Sequence, residues 1–352
     1  MDGFTGVVYS IVQSYANNSI FEKKSAEIWW IERVVLLLQC INSLIHKYGY
    51  SHTSVSNLYN HIYMLDIQNL SFGYGHSCKL VIDNLSLQLP QGVVAGLLAP
   101  NGTGKTTLLH LIMGALTPRK GRVVFDGVNT RDRRPETLAE MMLVPEEITL
   151  PSMNINRFIT LYGSLYPRFS REIMERCIEE FRITDINKLN ALSMGQKKKV
   201  YLSFALACRP KLLLMDEPTN GLDIPGKAAL RRLMAGVLDE DTTVIISTHQ
   251  VRDLEQMLEQ IIIMDRGNLL FNHSVSEIQS AVAFRLNVPA DATEGAIDSV
   301  PAPGGYNIMV ENLDGDESPV NLEMLFDYVM REHEHMNTLI DNALKTQHHD
   351  EL

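Results

Sequence analysis

The chain has 352 residues, of which 45% are hydrophobic and 21% charged, and its formal charge is −11. That length allows two or three domains at about 100–200 residues each, and a core that needs no disulfide staples. Four widely spaced cysteines with no CxxC pair disfavour a zinc site, an iron–sulfur cluster and a disulfide framework. The acidic balance disfavours a general binder of nucleic acid or of anionic membranes.

Residues 1–63 hold both tryptophans, polar runs such as Asn17-Asn18-Ser19, and one apolar stretch, Val34–Ile45. That stretch is about a dozen residues, short of the ~20 that cross a bilayer. Two readings of this extension stand. It is a small helical add-on, or the biological chain starts at Met64, immediately before the first strand pattern; the second is favoured. Neither assigns it any chemistry.

From Met64 to about Phe271 short strands alternate with longer helical stretches, which predicts an α/β sheet with crossover helices. Leu65 and Ile67 alternate with Asp66 and Gln68, and Leu85, Leu87 and Leu89 with Ser86 and Gln88. Val93–Leu98 is an unbroken apolar run, as in a strand covered on both faces. It leads into Ala99-Pro100-Asn101-Gly102-Thr103-Gly104-Lys105-Thr106-Thr107 and then an apolar helix. Glycines there let successive N–H groups face one concavity, and the helix aims its positive end at the same point. Lys105 is placed to reach β- and γ-phosphates, and the Thr106 hydroxyl to ligate Mg²⁺. Ala99 stands where the motif has a glycine, so the backbone there must be unstrained or the loop slightly different.

Further along, Ile173, Met174, Cys177, Ile178 and Phe181 recur at helical spacing. Ser193 caps a predicted helix over Lys197–Cys208, and Lys197-Lys198-Lys199 reads as a solvated face of it. Leu212–Met215 is a buried strand ending in Asp216 and Glu217, one placed to hold Mg²⁺ and the other to deprotonate an attacking water. A strand over Thr243–Ser247 ends near His249, where an imidazole can sense a γ-phosphate. Prolines and glycines break the pattern over 281–326, leaving short strands near Phe284–Leu286 and Asn307–Val310. From Glu332 the chain is polar and His-rich, and its composition predicts a frayed tail.

Taken together, these motifs resemble the ATP-binding cassette of ABC transporters over about Met64–Phe271. The resemblance implies a P-loop NTPase of ABC type, with an antiparallel β subdomain, a helical subdomain and a small C-terminal α+β appendage. Expected boundaries are 1–63 for the extension, 64–275 for the cassette with its helical subdomain at about 148–191, 276–330 for an accessory region, and 331–352 for the tail. By that resemblance Tyr74 stacks on adenine, and Asn101, Gly102, Thr103, Gly104, Lys105, Thr106 and Thr107 cradle the phosphates. Ser193, Gly195 and Gln196 belong to the signature sequence that contacts the nucleotide of a second cassette. Asp216 holds Mg²⁺, Glu217 is the general base and His249 the switch histidine. Glu146 stands where the family has a glutamine that reaches the metal, with Glu147 as an alternative, and Met194 replaces the signature's first glycine.

The resemblance therefore implies an ATPase with ATP and Mg²⁺ as cofactors, a second cassette as dimer partner (a copy or a paralogue), and a membrane permease but no nucleic acid. The location implied is the cytoplasmic face of a membrane, through that permease. The short segment between Lys105 and Ser193 excludes relatives with a long coiled-coil insertion, and region 281–326 is similar to the appendage of bacterial ABC-2-type export ATPases. The alternative is a soluble ABC ATPase in cofactor assembly or regulation.

Overall fold

The computed structural model describes residues 63–75, 79–184, 187–249, 255–316 and 318–350, with side chains to 346. Apart from Tyr63, the N-terminal extension lies outside the described residues.

The first layer is antiparallel. Strands β1 (Leu65–Phe72), β2 (Ile82–Leu89), β4 (Lys120–Phe125) and β5 (Val128–Asn129) form a sheet in the order β2-β1-β4-β5. In β2 the period-2 pattern of the sequence becomes alternate burial of Leu85, Leu87 and Leu89.

The second sheet has the order β10-β9-β3-β8-β7-β6. It comprises β3 (Val94–Leu98), β6 (Met141–Val144), β7 (Leu212–Asp216), β8 (Thr243–Thr248), β9 (Gln260–Asp265) and β10 (Asn268–Ser274). All pairs are parallel except β9 with β10. Continuous apolar strands belong where both faces are covered, and successive residues here do enter different cores. Leu213 and Met215 join one hydrophobic cluster, while Leu212 and Leu214 join the other. The parallel register sets Leu98 beside Thr248, and Asp216 beside Ser247. The carboxyl ends of β3, β7 and β8 thus lie at one level, where open α/β sheets bind ligands.

Crossovers are helical. Helix α1 (Lys105–Ile112) follows β3, and the short α2 (Pro135–Leu138) precedes β6. Then come α3 (Ile155–Gly163), capped by Asn154, and α4 (Arg171–Glu180), capped by Ser170. Helix α5 (Met194–Ala207) precedes β7, and α6 (Ile224–Val237) starts at an Asp223 cap with proline in its first turn.

The C-terminal part is a sheet ordered β11-β13-β12, from β11 (Val282–Val288), β12 (Asp298–Ala302) and β13 (Gly305–Glu311), with helices α7 (Val275–Ala281) and α8 (Leu322–Asp350). Here the structure corrects the sequence reading. The stretch from Glu332 is not frayed. It continues α8 past a break in helical geometry at Glu332, and Met336 and Ile340 are fully buried in the larger core. Asn337 ties it down, donating from Nδ2 to Leu270 O at 3.0 Å while its Oδ1 lies 3.0 Å from His273 Nε2. A polar composition hid two apolar anchors one helical turn apart. Met336→Ala is expected to lower stability by about 2–4 kcal/mol, seen as a lower urea midpoint at unchanged slope.

Among the described residues, no helix is long and apolar enough to cross a membrane.

Candidate functional site

A cavity of about 490 Å³ opens at the aligned strand ends, lined by Tyr74, Val81, Asn101, Gly102, Gly104, Lys105, Thr106, Thr107, Glu146, Asp216, Glu217 and His249. Residues from β3, β6, β7 and β8 converge there because the parallel register brings those ends together.

The loop after β3 turns through Gly102 and Gly104, at φ 78° and 110°. A Cβ on Gly104 would also lie 3.1 Å from the Val81 carbonyl and from Ile82, so the position suits glycine doubly. Ala99 is buried and has no left-handed backbone, so it sits in the loop without strain. Thr103 Oγ1 donates to Pro100 O at 2.7 Å and closes the turn; it does not line the cavity. Buried Lys105 donates from Nζ to the carbonyls of Ala99 (2.8 Å) and Pro100 (3.3 Å). Burial pushes its pKa down, and the carboxylates of Glu217, Asp216 and Glu146 oppose that shift.

Thr106 Oγ1 donates to Asp216 Oδ2 at 2.6 Å, and Ser247 Oγ donates to the other oxygen of the same carboxylate. Asp216 is thereby oriented from both β8 and α1. Glu217 is buried and has φ 45°, a left-handed backbone that non-glycine residues rarely adopt. Its Oε1 accepts from the His249 backbone N–H at 3.1 Å and faces His249 Nδ1 at 2.6 Å. A carboxylate only accepts, so Nδ1 carries the proton in that contact. Its Oε2 is buried and has no hydrogen-bond partner among the described residues. One oxygen is anchored and the other is free to accept.

Glu146 Oε1 accepts from Asn220 Nδ2 at 3.3 Å. Tyr74 is more than half exposed at the cavity rim, with its hydroxyl 3.1 Å from Thr107 Oγ1 and its ring 5.0 Å from that of Phe72 in a T-shaped contact.

Ser193, Gly195 and Gln196 lie elsewhere. They form the start of α5, where Ser193 and Gln196 satisfy each other in a capping box, and none of them lines the cavity. Gly195 packs so tightly that a Cβ would fall 2.8 Å from the Gly221 carbonyl. Met194 beside it is 76% exposed.

The lysine triplet at 197–199 also departs from expectation. It is not a solvated face: Lys198 is buried, its Nζ donating to the carbonyls of Pro145 (3.3 Å) and Glu146 (3.0 Å). Lys199 pairs with Asp223 at 2.9 Å. Nothing in the triplet distinguished the middle lysine; the helix period, with Val200 and Leu202 buried nearby, was the available signal. Ser247 and Asn220 were missed for a similar reason, since a lone hydroxyl or amide carries no pattern.

Residues 82–220 match the ABC transporter family. An uncharacterised ABC transporter ATP-binding protein of Methanocaldococcus jannaschii is 33% identical over 224 residues, covering 60% of this chain and 74% of that protein. The chain belongs to the ABC transporter ATP-binding family. Its cassette is an ATP-binding ATPase of P-loop type. A Nod factor export ATP-binding protein of Cupriavidus metallidurans is 29% identical, covering 58% of this chain and 69% of the relative. In fold, the cassette is similar to the ATP-binding subunit of an ABC transporter, with TM-score 0.56 and 25% identity over 61% of this chain and 92% of that one.

Proposed function

We propose that the chain is the ATP-hydrolysing subunit of an exporter, working as a pair of cassettes on a separately encoded permease at the cytoplasmic membrane face. The observation that carries the catalytic part is the free, buried Oε2 of Glu217 beside a carboxylate held by Thr106 and Ser247. Glu217 accepts the proton of the attacking water, and the hydrogen bonds from His249 keep its other oxygen fixed. Lys105 and the backbone of the loop at 101–107 bind and orient the phosphates, and Tyr74 stacks on the base. Oxygen donors of this kind suit a hard divalent cation. Thr106 and Asp216, with Glu146 nearby, would hold magnesium, which supplies charge neutralisation at the phosphates.

The signature residues Ser193 and Gly195 lie off this chain's own cavity, which supports a head-to-tail dimer in which they reach the partner's nucleotide. Exposed Met194 and Ile224 flank that end of α5 and suit a face covered in the dimer. Cassette limits of 64–275, with the helical subdomain at about 148–191, fit this division of labour. For the permease, exposed Leu161, Tyr162 and Leu165 on and just after α3 offer an apolar docking surface. Phe158, earlier on the same helix, is itself a core residue and takes no part in that surface. The C-terminal appendage and the relative named for Nod factor export support export over import, although a relative of similar identity is named for Fe(3+) import.

The test is a tagged pull-down from detergent-solubilised native membranes. A polytopic permease in stoichiometric amount is expected. An extracytoplasmic solute receptor in the same complex would overturn export, and purely soluble partners would replace this reading with the assembly or regulatory one.

A further inference from the structure

Three carboxylates, Glu146, Asp216 and Glu217, share the cavity wall with one lysine, Lys105. The third, Glu146, adds a negative charge where an anionic polyphosphate would bind. Immediately behind that wall lies Lys198, 3% exposed, on the first turns of α5. A buried ammonium is costly unless it is hydrogen-bonded and offset by opposite charge, and the positive end of a helix dipole makes this position worse. Its hydrogen bonds go to two carbonyls, of Pro145 and Glu146. Its offsetting charges are Glu146, Asp216 and Glu217. The turn after β6 is therefore gripped twice, by Lys198 at the Glu146 carbonyl and by Asn220 at the Glu146 carboxylate. Asn220 sits in the loop that leaves β7 just after Glu217, and its N–H bonds the Glu217 carbonyl at 3.2 Å.

We propose that Lys198 is a positioning residue for ATP binding, the buried cation that offsets the Glu146 carboxylate and locks its turn against the signature helix. Lys198 touches no reacting atom. It acts through Glu146, and so links the start of α5 to the wall of the nucleotide cavity. The inference rests on the proposed site but concerns a residue outside its lining.

The test is a double-substitution cycle in the full chain: wild type, Lys198→Gln, Glu146→Gln and the pair. Gln at 198 keeps a donor for the two carbonyls and removes the charge. Lys198→Gln alone is expected to raise KM for ATP by about ten-fold, in the range of couplings between contacting groups. It should weaken fluorescent-ATP binding in EDTA, without magnesium, to a similar extent. Adding Glu146→Gln should restore both to within about two-fold of Glu146→Gln alone, a rescue that a merely structural role for Lys198 does not give. Equal losses from Lys198→Gln with and without Glu146→Gln would overturn the proposal. If Lys198→Gln alone does not fold, folding of the Lys198→Gln/Glu146→Gln pair supports the charge pairing, and failure of the pair to fold overturns it. A wild-type chain that neither binds nor hydrolyses ATP would instead sink the proposed site itself.

Discussion

Glu217→Gln is expected to stop hydrolysis while ATP still binds, so that the variant collects as an ATP-bound dimer eluting early on size exclusion. Gln preserves the size of the side chain and can still accept from the His249 backbone N–H at Oε1. What it loses is the negative, free acceptor at Oε2. Loss of a positioned base costs about 10²–10⁴-fold in rate, and the substitution also removes one of three carboxylates that repel a polyphosphate. Binding should hold or tighten while kcat collapses. A variant turning over at the wild-type rate would place the base elsewhere.

Lys105→Ala is expected to act at the other step, abolishing nucleotide binding. The Lys105 ammonium is buried, and the carboxylates of Glu217, Asp216 and Glu146 are its charge partners. Removing it leaves a like-charged cluster facing an anion. Deleting the ammonium removes a charge-assisted contact to phosphate worth up to about 3 kcal/mol, so ATP affinity should fall about a hundred-fold. Titration calorimetry with ATP reads this directly. Undiminished affinity would remove the phosphate-loop role from residues 101–107.

Much of this arrangement could be read in the sequence because its parts are backbone-driven. A Gly-rich turn between an apolar strand and a helix, and an apolar strand ending in Asp216-Glu217, state their geometry in their composition. The two-faced burial of β3 and β7 was likewise visible as runs without a charged residue before the strand end, VAGLL and LLLM. What stayed hidden depends on which side chain a tertiary neighbour selects. Lys198 is chemically identical to Lys197, and only the packing of α5 against the turn at Pro145 makes one of them structural. Helix α8 concealed itself differently: most of its surface is solvated, and Met336 and Ile340 hold it in a core that its overall polarity does not announce. Ser247 and Asn220 became part of the site only once β8 lay beside β7 and the loop after β7 met the turn after β6.

The strand order carries a consequence for how the protein is born. Val94 pairs with Val244 and Ala95 with Gln260, so both edges of the phosphate-loop strand wait for chain made much later. At about 5–20 residues per second, β3 leaves the ribosome on the order of ten seconds before β8 exists to flank it. Until then its apolar Val-Ala-Gly-Leu-Leu run has open edges on both sides. Such long-range parallel pairings fold slowly and expose sticky intermediates. The nucleotide site can take shape only once the chain has been synthesised through β8 to His249, so ATP acts as a clamp on the finished sheet.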